Sequence, residues 1–300
     1  MRVDPNYVTN LAAAVDQSAS QEARLTSELS SGLRVASLQD NPVSVAQSTL
    51  LGSSIAADDT FVQNASGVVS RMQVADSTLG EVVTQVTNAL SVAVSGNNGA
   101  ALNSSNVASI AQELGGIRDQ VLSLANTSYQ GQYLFGGSVG STPPYTLDTA
   151  TNPATANYNG DNNLQFIETP TGQKIQVNLP GSAVFGTAGG GVLGALNQLI
   201  SDFTGGATSA TLTADTSSLT SALGQLSSQR STLDSSLSRL QSTSSYAQTE
   251  ESQLQVAQGN LVSADPAAVA TQLSQAETQH QALLSVINAL SGTSLFSLMK

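Results

Sequence analysis

The 300-residue sequence contains no cysteine and no tryptophan, a single histidine, 4% aromatic residues and 10% charged residues. Without cysteine there is no disulfide framework, no thiolate nucleophile and no cysteine-ligated metal. The chain is therefore indifferent to redox compartment. Nine basic residues stand against 21 acidic ones, a formal net charge of −12. No basic patch is available to neutralise phosphates, which disfavours nucleic acid and anionic membrane surfaces as partners. No run of about 18 apolar residues occurs, so no membrane-spanning helix is expected. The opening Met1-Arg2-Val3-Asp4-Pro5-Asn6-Tyr7 carries no apolar signal-peptide core. The expectation is residence in the cytoplasm or export by a route that needs no cleaved signal.

Ser, Thr, Ala, Gln and Leu dominate what is present, and the apolar residues recur at helical spacing. Val8, Leu11 and Val15 share a three–four phase with Leu25, Leu29 and Leu33, but the intervening Ser18 and Glu22 are polar. A helix with so broken a stripe is marginal alone, because packing of the apolar face supplies most helical stability. Ser30-Ser31-Gly32 and Gln39-Asp40-Asn41-Pro42 then read as a joint. Asp40 or Asn41 suits an N-cap, and Pro42 suits the first turn of a second helix.

That second helix holds Leu51, Ile55, Val62, Ala65, Val69, Met72, Leu79, Val83, Val86, Leu90 and Ala93 in phase, interrupted by Asp58 and Asp76. From Ser44 to Val94 it would run roughly 75 Å, a length that calls for a coiled coil or bundle. A third helix carries Val107, Ile110, Leu114, Ile117, Val121 and Leu124, and the short loop between them predicts antiparallel neighbours. A further helical segment spans Val192 to Phe203. After Gly205-Gly206, Leu219, Leu223, Leu226, Leu233, Leu237, Leu240, Ala247, Leu254 and Leu261 share a phase, interrupted by Arg230, Ser244, Glu251 and Gln258. Asp265-Pro266 opens a last helix with Val269, Leu273, Ala276, His280, Leu283, Ile287 and Leu290 in phase, and Leu295 and Phe296 follow near its end.

Between the helical halves the pattern changes. Leu164 to Phe166 and Lys174 to Leu179 alternate as strands, with turns at Asn159-Gly160 and Pro170-Thr171-Gly172. The fold class predicted is mainly α with a β insertion: an elongated antiparallel long-helix bundle or coiled coil, interrupted mid-chain by a small β-rich domain. The domain boundaries follow as 1–35 with 264–300 for a terminal coiled-coil assembly region, 36–137 with 190–263 for a long-helix rod, and 138–189 for the insertion. The weak terminal seams predict helices, Asp4 to Leu33 and Pro266 to Leu298, that become ordered on burial between molecules. Candidate assembly residues are Leu11, Val15, Leu25, Leu29 and Leu33, with Arg34, Asp40 and Asn41 at the joint. At the other end they are Leu273, Leu283, Ile287, Leu290, Leu295 and Phe296.

Catalytic and ligand signals are weak. Gly136-Gly137-Ser138-Val139-Gly140 fits G-x-S-x-G, but that motif needs a helix after the serine, and Ser141-Thr142-Pro143-Pro144 cannot supply one. A hinge into the β region is the better reading, and a secreted serine hydrolase using Ser138 is the alternative. His280 has Leu283 and Leu284 at the positions where a second metal ligand would stand. It reads as a helix-packing position with a polar tip. Gly186 to Gly191 lacks the Lys-Ser/Thr of a phosphate loop and reads as a flexible hinge. Gly160-Asp161-Asn162-Asn163 lacks the distal acid of a calcium loop and reads as a turn. Asp58-Asp59 and Glu250-Glu251 read as solvated helix faces. No catalytic residue, cofactor or metal is predicted.

Met1-Arg2-Val3, Glu28-Leu29-Ser30-Ser31-Gly32-Leu33-Arg34-Val35 and Asp40-Asn41-Pro42 together resemble the N-terminal signature of the flagellin superfamily. Arg230-Ser231-Thr232-Leu233 through Leu237-Ser238-Arg239-Leu240, Asp265-Pro266 and the closing Leu295-Phe296-Ser297-Leu298 resemble its C-terminal region. Filament subunits of the superfamily typically show Asp-Asp-Ala-Ala-Gly-x-Ala where this chain has Asp40-Asn41-Pro42-Val43-Ser44-Val45-Ala46. Gln132-Tyr133-Leu134-Phe135-Gly136-Gly137, Tyr158-Asn159-Gly160-Asp161, Leu179-Pro180-Gly181 and Val184-Phe185 are similar to the middle of the branch that joins hook to filament.

The resemblance implies a structural, non-enzymatic protein of the bacterial flagellum. It implies a homo-oligomeric ring outside the cell, with a hook-associated protein on the hook side and flagellin on the filament side. It also implies export without a cleaved signal through the flagellar type III channel, with a cytoplasmic chaperone holding the C-terminal region beforehand. The alternative within the superfamily is a filament subunit.

Overall fold

The computed structural model describes residues 5–98, 104–187 and 189–298. The chain runs α1 (Pro5–Ser31), α2 (Pro42–Asn98), α3 (Ser104–Ala125), the short strands β1 (Ser128–Tyr129) and β2 (Gln132–Tyr133), β3 (Tyr145–Asp148) and β4 (Thr155–Tyr158). It continues through β5 (Phe166–Glu168), β6 (Lys174–Gln176), α4 (Gly181–Val184), α5 (Gly191–Gly205), α6 (Ser209–Val262) and α7 (Pro266–Leu298). The predicted class, long helices with a β-rich insertion, is the class observed. Among the described residues no helix is long and apolar enough to cross a membrane.

The chain divides into two compact units, residues 57–249 and residues 1–56 with 250–300, and the boundaries fall inside α2 and α6.

In the unit of residues 57–249, α2 and α6 run antiparallel. The Asn97 amide donates to the Ser209 carbonyl and the Thr213 hydroxyl, and Arg230 meets Asp76 further along. Their buried faces keep a strict heptad. On α2 the buried apolar positions are Phe61, Ala65, Met72, Ala75, Leu79, Val82, Val86, Ala89 and Ala93, and Asp58, expected on a solvated face, is buried one heptad before Ala65. On α6 they are Leu212, Asp215, Leu219, Ala222, Leu226, Leu233, Ser236, Leu240 and Ala247. A seven-residue repeat kept over many turns is the signature of a coiled-coil seam. Each large side chain in it contributes on the order of 1.5–3 kcal/mol, and the alanines allow close approach. The α2 seam lies one position away from several residues that periodicity selects, since Val62, Val69, Val83 and Leu90 flank it.

Helix α3 packs on α5. Arg118 is buried between them, donating to Asp119, to the Ala154 carbonyl and to Asn197. Gly206, in the left-handed conformation at φ 72°, closes α5 by donating to the Asp202 and Phe203 carbonyls.

The β region is three antiparallel hairpins, β1–β2, β3–β4 and β5–β6, rather than one sheet. Aromatic packing joins β3–β4 to Phe135, which follows β2, and to Phe185, which ends α4. Tyr145 lies 5.1 Å from Tyr158 and 5.8 Å from Phe185, and Phe185 stands edge-on to Phe135 at 5.1 Å. Every hydroxyl in this cluster is satisfied: Tyr145 donates to the Gly186 carbonyl at 2.6 Å and Tyr158 to the Asp161 carbonyl at 2.7 Å.

Gly181 sits beneath the cluster, where a Cβ would stand 2.8 Å from the Tyr145 ring. Gly186 and Gly191, expected in a flexible hinge, approach each other closely. Gly186 and Gly191 both have positive φ, and a Cβ on Gly191 would stand 2.6 Å from the Phe185 carbonyl oxygen. Only glycine permits this approach of backbone to backbone.

In the unit of residues 1–56 and 250–300, α1 and α7 lie alongside each other, with Leu25 buried against Val269, Leu273 and Ala276. The pair is antiparallel, since the chain leaving α1 meets the chain entering α7. The terminal helices therefore bury part of their apolar surface on each other within one chain.

Candidate assembly surfaces and the joint

The joint between α1 and α2 is held by backbone. Gly32 ends α1 in the left-handed conformation at φ 69°, and its carbonyl accepts from the Ala264 amide at 2.9 Å. Leu33 then pairs with Ser263 in an antiparallel bridge. The Arg34 amide donates to the Val262 carbonyl at 2.8 Å, and its guanidinium reaches the Leu261 carbonyl at 3.0 Å. Val35 is buried behind this contact. Periodicity shows a turn here but not its pairing with residues 261–264, because backbone bonds between distant segments leave no trace in side-chain spacing.

Asp40 and Asn41 divide the capping work. Asn41 is the N-cap of α2: its Oδ1 accepts from the amides of Val43 and Ser44, both at 3.1 Å. Asp40 folds back and accepts from the amides of Ala36 and Ser37 and from the Ser37 hydroxyl. Those donors, the Ser37 amide foremost, hold the Asp40 carboxyl below its ordinary range. Asp265 caps α7 in the same manner as Asn41, through the amides of Ala267 and Ala268.

The candidate assembly residues occupy different environments. Leu25 is fully buried, whereas Leu29 is 42% and Leu33 37% exposed. Leu11, Val15, Leu273, Leu283 and Ile287 are half-buried, and Arg34 and Asp40 are exposed. Leu290, Leu295 and Phe296 lie in α7 outside the residues whose side chains are described. Further apolar side chains of this unit face solvent, among them Leu38, Val43, Leu50, Val256, Leu284 and Val286. Spacing analysis passes over Leu38, Val43, Leu50 and Val256 because they stand outside the apolar phase.

Ser138 is a bonded turn residue. Its hydroxyl donates to Asp161 Oδ2 and accepts from the Asn163 amide, and its own amide donates to Asp161 Oδ1 at 2.7 Å. The Ser138 hydroxyl, more than any other donor, holds the Asp161 carboxyl down to about 2. No helix follows Ser138 before β3, so the serine lacks the strand–turn–helix setting that activates a nucleophile. With both its oxygens engaged by donors, Asp161 serves the turn. His280 lies on α7, and among the described residues no group of three or more potential metal ligands is found.

The chain is thus helical toward both ends, with a β-rich region between in sequence. It matches the family described as the bacterial flagellin N-terminal helical region over residues 6–139, and the bacterial flagellin C-terminal helical region over residues 216–299. The chain belongs to the flagellin superfamily.

Flagellar hook-associated protein 3 of Salmonella typhimurium is 26% identical over 180 residues, 60% of this chain and 54% of that protein. Flagellar hook-associated protein 3 of Escherichia coli K12 is 31% identical over 120 residues, 40% of this chain and 38% of that protein. The chain thus aligns with about half or less of the length of these relatives. A putative flagellar hook-associated protein from Vibrio parahaemolyticus shares the fold, with a TM-score of 0.64 at 16% identity over 75% of this chain and all of that one.

Proposed function

We propose that this chain is a structural component of the bacterial flagellum that joins the hook to the filament. It assembles through its terminal arms into a ring of identical subunits, outside the cell. The observation that carries the reading is the exposed aliphatic surface of the unit built from both chain ends, Leu29, Leu33, Leu38, Val43, Leu50, Val256, Leu284 and Val286. In water such a surface costs free energy, and burial between subunits recovers it. The names of the two relatives, and Asp40-Asn41-Pro42 in place of the filament-type sequence, favour the junction over the filament shaft.

On this reading the ring meets a hook-associated protein on one side and flagellin on the other. The chain leaves the cell through the flagellar export channel without a cleaved signal, its C-terminal region held first by a cytoplasmic chaperone. The terminal region, residues 1–35 with 264–300, carries assembly together with the adjoining Leu38, Val43, Leu50 and Val256, and the rest of residues 36–137 with 190–263 carries load.

The test is Leu283→Asp, or truncation after Ser263, in the producing bacterium. Filaments should detach into the medium while the unit of residues 57–249 stays folded. Normal filament attachment and motility in either strain overturns the reading. Copy number separates junction from filament: a few per flagellum for the former, an amount comparable to total filament protein for the latter.

A further inference from the structure

Arg71 stands on α2 within the unit of residues 57–249 and is half-buried. A guanidinium carries five N–H donors and no acceptor. Among the described residues Arg71 uses one of them, from Nη2 to Gln165 Oε1 at 2.8 Å. Gln165 is itself held: its Nε2 donates to the Gly137 carbonyl at 3.2 Å, and its backbone amide to Asn178 Oδ1 at 2.8 Å. The guanidinium is thus anchored at one corner by a fixed, neutral acceptor, and its charge has no counter-ion.

That sets Arg71 apart. The other two cations of this unit that are drawn out of solvent both hold carboxylates, Arg118 with Asp119 at 2.7 Å and Arg230 with Asp76 at 2.6 Å. No carboxylate among the described residues lies within 4.0 Å of Arg71. Burial pushes its pKa down, and no neighbouring charge opposes that effect. A partly desolvated charge without a partner is costly, and a bound anion relieves the cost. Arg71 also lines a cavity of about 710 Å³, together with Gln132, Tyr133, Ser138, Ser141 and Gln165. The side chains of Gln132, Tyr133 and Ser141 make no hydrogen bond among the described residues, so their donors are free for a ligand. Asp161, bonded to Ser138 on the cavity wall, is already engaged through both oxygens by Ser138 and Asn163.

We propose that this cavity is a carboxylate-binding site with Arg71 as its cation. Arg71 is the one charged residue lining it, so a ligand with a single negative charge is neutralised, whereas a phosphate dianion is left half compensated. The two oxygens of a carboxylate match the fork of a guanidinium, which binds them through two parallel hydrogen bonds. Gln165 positions that fork, and the amide and hydroxyl donors of the wall supply further bonds. The carboxylate comes either from a small free ligand or from an acidic side chain of a second copy of this chain, which carries 21 acidic residues. The site stands whether or not the chain assembles at the hook–filament boundary.

The experiment is an NMR titration of the full chain, with its arginines nitrogen-labelled, in which sodium acetate replaces sodium chloride at constant ionic strength. The Arg71 Nε resonance is the one lost in Arg71→Lys; the titration itself is read on the unaltered chain, so the variant serves only to assign. Acetate should shift that resonance saturably, with half-saturation on the order of 10 mM, the scale of two charge-assisted hydrogen bonds. The Arg118 resonance, already paired with Asp119, should not move. Gln165→Leu should weaken the response, because the fork is no longer held in place. Raising the protein concentration without acetate separates the two sources. A shift of the Arg71 resonance that acetate reverses assigns the carboxylate to a second copy, and a resonance that stays put assigns it to a free ligand. No saturable shift with acetate, or an equal shift of the Arg71 and Arg118 resonances, overturns the proposal.

Discussion

Arg230 of α6 grips Asp76 of α2 through two hydrogen bonds, Nε to Oδ1 at 2.6 Å and Nη2 to Oδ2 at 3.2 Å. In the sequence these residues look like separate flaws in two apolar stripes. In the structure each sits one position off its seam and they answer each other, fixing the register of the two long helices. Gly80, one turn on from Asp76, leaves room for the guanidinium, which lies 3.4 Å from where its Cβ would be.

Breaking this pair should cost about 1 kcal/mol, because both side chains are partly exposed and solvent screens them. Arg230→Ala and Asp76→Ala should each lower the urea midpoint of unfolding by a similar amount. The double variant should be no worse than either single one. Asp234 stands beside the pair, its carboxyl raised by burial and by the Asp76 carboxylate. Asp234→Asn should therefore be neutral or mildly stabilising near neutral pH.

The stability of residues 57–249 should fall between mildly acidic and neutral pH. Burial, with the Asp202 carboxylate close by, pushes Asp215 up to about 6 from an ordinary value of 3.8. A carboxyl raised in the fold favours the folded state fully below its unfolded value, and that contribution disappears as pH rises through about 6. The effect is on the order of 2–3 kcal/mol. Asp215→Asn should flatten the dependence and raise the melting temperature at pH 8 relative to the unaltered chain. Asp76 and Asp161, held low by Arg230 and Ser138, act in the opposite sense: their contribution is lost as pH falls from their ordinary value toward their lowered one.

Two glycine substitutions should have opposite signs. Gly181→Ala drives a methyl into the Tyr145 and Tyr158 rings and the Phe135 carbonyl, all within 2.9 Å. A loss of about 2–4 kcal/mol is expected, read by thermal unfolding. Gly67 lies inside α2 and a Cβ there meets nothing. Gly67→Ala should stabilise by about 0.5–1 kcal/mol.

Asn41→Ala should destabilise the start of α2 by about 1 kcal/mol, and Asn41→Asp should be tolerated, since either side chain accepts from the first amides. Amide exchange at Val43 and Ser44 reads the cap directly.

Purified protein should show no esterase activity attributable to Ser138, because the hydroxyl is engaged with Asp161. Ser138→Ala should leave any background hydrolysis unchanged while lowering thermal stability by about 1 kcal/mol.

The architecture was legible because heptads and caps are local. Pro42 and Pro266 open helices where they were expected to, and Lys174 and Ile175 lie in a strand. Ala65, Met72, Leu79, Val86 and Ala93 of the α2 seam stand in the phase that spacing selects, whereas Phe61, Val82 and Ala89 lie one position from Val62, Val83 and Leu90, because periodicity does not choose between adjacent apolar residues. The β3–β4 hairpin alternates, Tyr145 and Leu147 with Thr146 and Asp148, Ala156 and Tyr158 with Thr155 and Asn157, but four residues a strand are too few for that period to stand out in the sequence. Asn126 fixes it from outside, trading hydrogen bonds with the Tyr145 backbone at 2.9 Å. The joint's pairing with residues 261–264 was invisible for a similar reason, since it is made by backbone groups across more than two hundred residues of chain.

Immunogold labelling of isolated hook–filament complexes, with antibody against this chain, tests the central claim most directly. The account predicts label confined to the boundary between hook and filament. Label along the filament shaft, or none on the flagellum, would contradict it.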